Sequence, residues 1–106
     1  MMITFSGLKE FTEQEGMTLK EITTHYDQKI TQKVPNASFH LTCKSIQKEG
    51  MKKEYSFILR VNSPSVLWST KAEDWDLKKA LHKVFTHAQN RIKHQLKLEG
   101  YKKPRR

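Results

Sequence analysis

The sequence contains a single cysteine, Cys43, so the chain cannot close an intramolecular disulfide bond. Chains that fold without disulfides are typical of reducing compartments. No apolar run approaches the length that crosses a bilayer, and the residues from Met1 to Phe5 lack the charged and then apolar profile of a signal peptide. We therefore expect a cytoplasmic protein with no membrane partner.

Motifs that support catalysis or cofactor binding are also missing. The four glycines form no phosphate-binding loop, and no carboxylates pair at helical spacing in an apolar setting. A nucleophilic Cys43 would need a nearby base, and the sequence identifies none. None of the five histidines lies four residues from another, and no acid joins them, so we expect no metal site. These absences predict a protein that is not an enzyme and needs no cofactor.

The most informative absence is that of acidic residues between Leu77 and Leu98. Apolar residues recur there at spacings of three and four, which predicts one helix from Asp74 to Gly100, with Asp74 as its N-cap. A solvated helix face usually mixes both signs of charge, because Glu–Lys pairs three or four residues apart stabilise it. An entirely cationic face repels itself. We therefore favour an external polyanion as its partner over a simple solvated lysine face.

The net charge of +9 is concentrated in the C-terminal third of the sequence. Residues 71–106 carry eleven Lys and Arg against four Asp and Glu, a balance of +7, whereas residues 1–70 carry nine against seven, a balance of +2. Charge gathered at one end of a small domain favours a polyanionic partner, with nucleic acid ahead of an anionic membrane surface. A hydrophobic content of 36% is typical of a folded domain, not of a disordered chain.

The spacing of apolar residues predicts the element order β-α-β-β-β-α. The first helix begins at a capping-box spacing, Thr18 with Glu21, and ends before Pro35. The predicted elements are strands from Met2 to Leu8, Ser38 to Ile46, Glu54 to Asn62 and Val66 to Lys71, a loop from Lys9 to Gly16, and helices from Thr18 to Lys33 and Asp74 to Gly100.

We expect an α+β fold in which a four-stranded, mostly antiparallel sheet carries both helices on one face. The three strands after the first helix are joined by short loops and form a meander, whereas the first strand pairs in parallel with the second through a right-handed crossover. If the apolar faces of both helices and of the sheet are buried in one core, the helices lie side by side with their polar faces outward. Residues 1–100 then form one domain, and 101–106, with four basic residues, form a disordered tail.

Three side chains have competing interpretations. Cys43 alternates with Leu41 along a strand, which predicts a buried hydrophobe in place of a reactive thiol. Trp68 and Trp75 could stack on flipped-out bases if they are exposed, which would contribute about 1–3 kcal/mol per base. Trp75, at the start of the second helix, is instead expected in the core. If Leu67 faces the helices, Trp68 faces the open side of the sheet, where a partner or a second copy of the chain could cover it.

Short motifs in both helices and in the last strand form a recognisable set. The segment from Leu67 to Trp75 combines an aliphatic strand, small residues and a Glu-Asp turn before a large apolar residue. The other motifs are Ala80-Leu81, the run Arg91-Ile92-Lys93-His94-Gln95-Leu96, and Tyr26 followed by Lys29-Ile30 and Lys33. This set, spread over most of residues 2–98, resembles the family of ribosome hibernation-promoting factors and ribosome-associated translation inhibitors.

The resemblance implies a bacterial, ribosome-associated protein of the stress response. Such a protein binds the small ribosomal subunit near the decoding site and silences translation by occupancy, with basic residues of both helices on phosphates of 16S rRNA. Phosphate contacts of this kind do not depend on base sequence and weaken as salt rises. The candidate RNA-binding residues are Lys78, Lys79, Lys83, Arg91, Lys93 and Lys97 of the second helix, with Lys29 and Lys33 of the first.

Two other functions stay open at this point. A general double-stranded-RNA-binding module shares nearly this element order, but it uses a basic N-terminus on its last helix, whereas Asp74 and Asp76 make this one acidic. A protein-interaction module could dimerise through the open sheet face, with Trp68, Ile58 and Arg60. We expect a monomer, with a dimer through the sheet as the alternative, and no small-molecule substrate.

Overall fold

Two long helices cover one face of a four-stranded sheet. The computed structural model describes residues 2–34, 37–47, 50, 52–62 and 67–102, and it describes their side chains except those of Met2, Trp68 and residues 95–102. The elements are β1 (Met2–Ser6), a 3-10 turn (Leu8–Glu10), α1 (Glu13–Lys33), β2 (Ser38–Gln47), β3 (Lys53–Asn62), β4 (Leu67–Asp74) and α2 (Leu77–Lys102). The predicted α+β class and the element order are confirmed.

The strands lie in the order β1-β2-β3-β4. β1 pairs in parallel with β2, beginning with Met2 opposite Ser38, and α1 is the crossover between them. β2 and β3 pair antiparallel over their full lengths, and β3 and β4 pair antiparallel from Asn62 opposite Leu67. The predicted parallel first pair and the antiparallel meander are therefore confirmed.

The core lies between the sheet and the helices. Alternate residues of a strand point to opposite faces, and the buried apolar residues of β2 and β3 follow this alternation. Each fully buried Leu, Val or Phe stabilises the fold by about 1.5–3 kcal/mol relative to exposure. The buried apolar side chains include Phe39, Leu41 and Cys43 on β2, Phe57, Leu59 and Val61 on β3, Leu19, Tyr26 and Ile30 on α1, and Leu81, Val84, Phe85, Ala88 and Ile92 on α2.

Helix α1 begins at Glu13, so the predicted loop from Lys9 to Gly16 and the predicted start at Thr18 are wrong. The N-cap is Thr12, whose hydroxyl accepts a hydrogen bond from the backbone N–H of Glu15 at 3.1 Å. In return, the Glu15 carboxylate accepts from the backbone N–H of Thr12 at 2.9 Å. This capping box satisfies two backbone donors that a helix leaves free at its start.

Tertiary contacts decide between the two capping boxes that the sequence offers, Thr12 with Glu15 and Thr18 with Glu21. The hydroxyl of Tyr55 on β3 donates to Oε2 of Glu15 at 2.5 Å. Burial, together with the hydrogen bond and charge of Glu15, raises the pKa of Tyr55 to about 12, so the phenol keeps its proton and remains a donor. The capping box of Thr12 and Glu15 is therefore stabilised by a hydrogen bond from β3. The spacing of residues along a single helix does not reveal this contact.

Strand β4 continues to Asp74, three residues beyond its predicted end at Lys71, and pairs with β3 as far as Tyr55. Helix α2 consequently begins at Leu77, and its N-cap is Asp76. The Oδ1 atom of Asp76 accepts hydrogen bonds from the backbone N–H groups of the second and third helical residues, at 2.9 and 3.1 Å. The predicted N-cap at Asp74 is wrong because sheet pairing with β3 extends through that residue.

At its other end, α2 continues to Lys102, so the predicted end at Gly100 is wrong. A glycine inside a helix costs only about 1 kcal/mol relative to alanine, and strong helix formers such as Leu98 and Glu99 precede it. Residues 103–106 lie outside the described residues, and the disorder of the tail stays a prediction. Neither helix in the described part of the chain has an apolar stretch that would span a bilayer.

Trp75, which was predicted in the core, lies at the surface, and so does Leu67, the first residue of β4. Trp75 is 54% exposed, because it occupies the short turn between β4 and α2 and not the apolar stripe of the helix. Leu67 is 70% exposed and pairs with Asn62, which is also exposed, on the open side of the sheet. The side chain of Trp68 lies outside the described residues.

Candidate nucleic-acid interface

One tyrosine closes the seam between α1 and α2. The ring of Tyr26 stacks on that of Phe85, with 4.8 Å between the ring centres and 7° between the ring planes. The hydroxyl of Tyr26 lies 2.6 Å from Nδ1 of His82, within hydrogen-bonding distance. Both Tyr26 and Phe85 are buried. These contacts fix the two helices side by side, as predicted.

The two helices also run in the same direction. β1 pairs with β2 in parallel, and β4 is related to β2 by two antiparallel steps, so β1 and β4 both run parallel to β2. Each helix returns along the sheet from the end of one of these strands. Both helix N-termini therefore lie at one end of the molecule, and the seam between the helices runs away from that end.

Basic side chains line the α1 edge of the seam. The Nζ atom of Lys29 lies 6.0 Å from the centre of the Tyr26 ring. Lys33 follows Lys29 by four residues, which places it one turn further along the same side of α1. The ring of His25 meets Tyr26 edge-on, with 5.6 Å between ring centres. All three basic side chains are exposed to solvent.

The α2 edge of the seam is basic as well. Lys78 precedes His82 by about one turn and Lys93 follows it by about three turns, so these residues lie along the line of α2 that borders Tyr26. Lys79 lies further round toward solvent, and all of these lysines are exposed. We call the combined set the seam lysines: Lys29, Lys33, Lys78, Lys79 and Lys93.

The seam lysines have no internal counterions among the described residues. Lys53, Lys71 and Lys83 form ion pairs with Glu15, Glu73 and Asp74, and none of these three cations belongs to the seam lysines. No acidic residue occurs among the described side chains of α2. An anionic ligand could therefore contact these five ammonium groups without first breaking an ion pair, and their mutual repulsion would fall on binding.

Lys83 is placed differently. Its Nζ lies 2.7 Å from Oδ2 of Asp74 and 3.4 Å from the backbone carbonyl of Glu73, both at the end of β4. The hydrogen bond from Lys83 lowers the pKa of Asp74 below its ordinary value, and the backbone N–H of Asp76 adds to this effect. The positive charge of Lys83 is thus compensated within the molecule, at the β4 side of α2 and away from the seam.

The remaining candidates are Arg91 and Lys97. Arg91 is exposed and follows Val84 by seven residues, on the same side of α2. The carbonyl of Val84 accepts a hydrogen bond from the Thr70 hydroxyl of β4 at 3.3 Å, so Arg91 also lies toward β4. The side chain of Lys97 lies outside the described residues. The structure therefore brings five of the eight candidates together at the seam and places Lys83 and Arg91 apart from them.

The described residues also bear on metal binding and on thiol chemistry. Within the described ranges, no group of three or more His, Cys, Asp or Glu side chains is placed to hold a metal ion. Cys43 is 1% exposed, and burial raises the pKa of its thiol to about 12. Because the thiolate is the reactive form, this protonated thiol is unsuited to nucleophilic chemistry. The predicted burial of Cys43 is confirmed.

The pairing of Tyr26 with His82 is not apparent from the sequence pattern. These residues lie 56 positions apart, and each occurs at the border of the apolar stripe of its helix. This border position was the signal in the sequence that could have indicated the pairing, because polar side chains there can form a hydrogen bond between two packed helices. The exposure of Trp75 was missed too, although aspartates on both sides of it are typical of a turn.

The open face of the sheet is largely polar in its described part. His40 lies 2.6 Å from the hydroxyl of Thr4 through Nδ1 and 3.0 Å from the hydroxyl of Ser6 through Nε2. Stable dimers bury about 1,200–2,000 Å² around an apolar centre. The described apolar side chains of this face lie on separate rungs with polar residues between them: Ile46, Ile58 and Leu67.

No protein-family model matches the sequence, and no curated protein matches it. A ribosomal subunit interface protein from Coxiella burnetii matches in structure, with a TM-score of 0.62 over 89% of this chain and 93% of its own, at 14% sequence identity. The N-terminal domain of Protein Y from Thermus thermophilus matches with a TM-score of 0.54 over 87% of this chain and 92% of its own, also at 14% identity. These likenesses confirm, at the level of the fold, the resemblance seen in the sequence motifs.

Proposed function

We propose that this protein binds the small ribosomal subunit through phosphates of 16S rRNA and silences translation, in a bacterial cytoplasm and under stress. The observation that carries the proposal is the row of five seam lysines, which have no carboxylate partner among the described residues. They lie on a fold similar to that of a ribosomal subunit interface protein. The sequence motifs independently resemble those of the hibernation-factor family.

Lysine is suited to contacts of this kind because its ammonium group is a point charge with three rotatable donors. Such groups can follow an irregular RNA backbone without reading its bases. Each neutralised phosphate releases counterions and adds about −0.7 to −0.9 to the slope of log affinity against log salt. Five seam lysines therefore predict a slope of about −4. Silencing would follow from occupancy of the subunit, with no bond made or broken.

Co-sedimentation with small ribosomal subunits in sucrose gradients tests this proposal. In a seam variant, Lys29, Lys79 and Lys93 are changed to Gln. In a matched control, Lys20, Lys71 and Lys83 are changed to Gln. All six lysines are exposed, and both variants lose the same charge, but the control residues lie away from the seam or pair with acids. We expect the seam variant to lose binding and the salt slope to fall by about 2–3, whereas the control changes it by less than about 1.

Other outcomes would support different functions. Equal losses in both variants would mean that net charge, and not the seam, governs binding. Tight binding to a bare RNA duplex, with little affinity for small subunits, would favour the double-stranded-RNA-binding module. A stable dimer by light scattering without RNA affinity at physiological salt would favour the interaction module on the open sheet face.

A further inference from the structure

Trp75 is a large apolar side chain held at the surface by a hydrogen-bonded turn. It is 54% exposed, between the end of β4 and the start of α2. The carboxylate of Asp74 accepts a hydrogen bond from the backbone N–H of Asp76 at 3.1 Å, and Asp76 in turn caps α2. Lys83 holds Asp74 from the other side at 2.7 Å. The exposed indole is therefore carried by a turn that is anchored on both sides.

The surroundings of Trp75 form an open cleft at the end of the molecule where both helices begin. Trp75 and Tyr55 make a common wall for two adjoining depressions. Lys52 and Lys53 line the first depression, and the first turns of α1 and α2, including Lys78, line the second. We call this region the Trp75 cleft. It is aromatic on one wall and has lysines around its rim.

The acids at the cleft are already engaged. Glu15 accepts hydrogen bonds from Tyr55 and from the N-cap of α1, and its carboxylate lies 4.0 Å from Nζ of Lys53. Asp76 accepts two backbone N–H groups at the start of α2. Lys52 and Lys78 are exposed and have no ion pair among the described residues. Among the described residues of the rim, the ammonium groups left without an ion pair are therefore those of Lys52 and Lys78.

We propose that the Trp75 cleft binds an unpaired nucleobase of RNA, stacked on the indole, with the flanking phosphates on Lys52 and Lys78. Aromatic side chains bind single-stranded RNA in this way because every base offers a π-face, whereas a base inside a duplex does not. Lys78 belongs both to the seam and to the rim of the cleft, so an RNA strand on the seam would continue into the cleft. The inference rests on the proposed function only in taking the ligand to be ribosomal.

Tryptophan fluorescence of the full chain tests the cleft directly. The probes are a six-nucleotide oligouridylate and a blunt RNA duplex with the same number of phosphates. The difference between the wild-type spectrum and that of Trp75→Phe isolates the emission of Trp75 from that of Trp68. We expect the oligouridylate to quench the Trp75 emission, and the duplex to bind through the seam lysines without quenching it.

Two variants separate stacking from simple apolar contact. Trp75→Leu keeps an apolar side chain at an exposed position, so folding should be unaffected, but it removes the π-face. We expect it to weaken oligouridylate binding by roughly 5- to 100-fold. Trp75→Phe keeps a smaller ring and should lose less. The duplex affinity of both variants should equal that of the wild type.

Several results would overturn this inference. These are wild-type affinity of Trp75→Leu for the oligouridylate, equal quenching by the duplex, or quenching by an acidic peptide such as oligoglutamate but not by RNA. Failure of the proposed function is seen separately in the sucrose gradients. If the wild-type protein does not sediment with small subunits but the oligouridylate still quenches Trp75, the ribosomal role fails and the nucleobase site stands.

Discussion

Replacing Phe85 by alanine is expected to destabilise the fold by about 3–5 kcal/mol, the usual range for removing a buried phenylalanine. The side chain is 1% exposed and stacks on Tyr26 across the seam. Its loss leaves a cavity and also removes an aromatic pair that contributes about 0.5–1.5 kcal/mol beyond its buried area. Domains of this size are stable by about 5–15 kcal/mol. The variant should therefore lose a large fraction of its stability, measured as the shift of the urea-unfolding midpoint.

The neighbouring Thr86 provides a matched control for Phe85. It is exposed on the same turn of α2, so Thr86→Ala should change stability by no more than about 0.5 kcal/mol. Phe85→Leu, which keeps most of the volume but not the ring, should fall between the two. A Phe85→Ala variant as stable as Thr86→Ala would show that the helices do not pack through this residue, and the side-by-side seam would have to be abandoned.

A second large effect is expected at Gly7, between β1 and the 3-10 turn. Gly7 has a φ of 85°, and a Cβ at this position would lie 2.0 Å from the backbone carbonyl oxygen of Cys43 on β2. Gly7→Ala should cost about 1–2 kcal/mol for the left-handed backbone and about 1–3 kcal/mol for displacing packed atoms. Because β2 is an interior strand of the sheet, it has little room to move. Thermal unfolding of the purified variant measures the combined loss.

Gly16 makes the opposite prediction with the same substitution. It lies within α1, has no positive φ, and a Cβ there would meet no atom within 4 Å. Alanine should stabilise this helix by about 0.5–1 kcal/mol, since glycine loses more backbone freedom on folding. The helix that the structure begins at Glu13 is the basis of this prediction. A destabilised Gly16→Ala variant would instead favour the loop that the sequence pattern predicted at this position.

Prediction from the sequence succeeded where a pattern repeats along an element. The alternation of β2 and β3 and the helical stripes of α1 and α2 identified the buried side chains, among them Leu41, Leu59 and Phe85. Each helix and each strand must bury one apolar face, and few arrangements of two helices and four strands allow this. For this reason the sheet order and the shared face for both helices followed from the spacing of apolar residues.

Prediction failed at the ends of elements and in the turn before α2. The start of α1 depends on the bond from Tyr55 to Glu15, and the start of α2 depends on how far β4 pairs with β3. These contacts join residues that are far apart in the sequence, so local spacing contains no trace of them. Trp75 was assigned to the core because its turn was taken as the first turn of a helix.

The candidate site also has a part that the sequence predicts and a part that only the structure shows. The acid-free stretch of α2 can be read directly from the sequence, and it identified Lys78, Lys79 and Lys93 as cations without neighbouring carboxylates on their own helix. Only the tertiary structure shows that Asp74 lies beside Lys83. Asp74 is the last residue of β4, and the packing of α2 on the sheet brings the side chain of Lys83 next to it. The same packing brings Lys29 to the seam through Tyr26.

The sequence alone determined the composition of this surface, its excess of positive charge, and the apolar stripes of the helices and strands that are buried. Those properties depend on residue type and on spacing within single elements. The tertiary structure decided which lysines keep their charge uncompensated, where the two helices meet, and that Trp75 lies in solvent beside Lys52 and Lys78. The physical reason is that ion pairing, stacking and exposure depend on distances between atoms of different elements, which are set when the helices pack on the sheet.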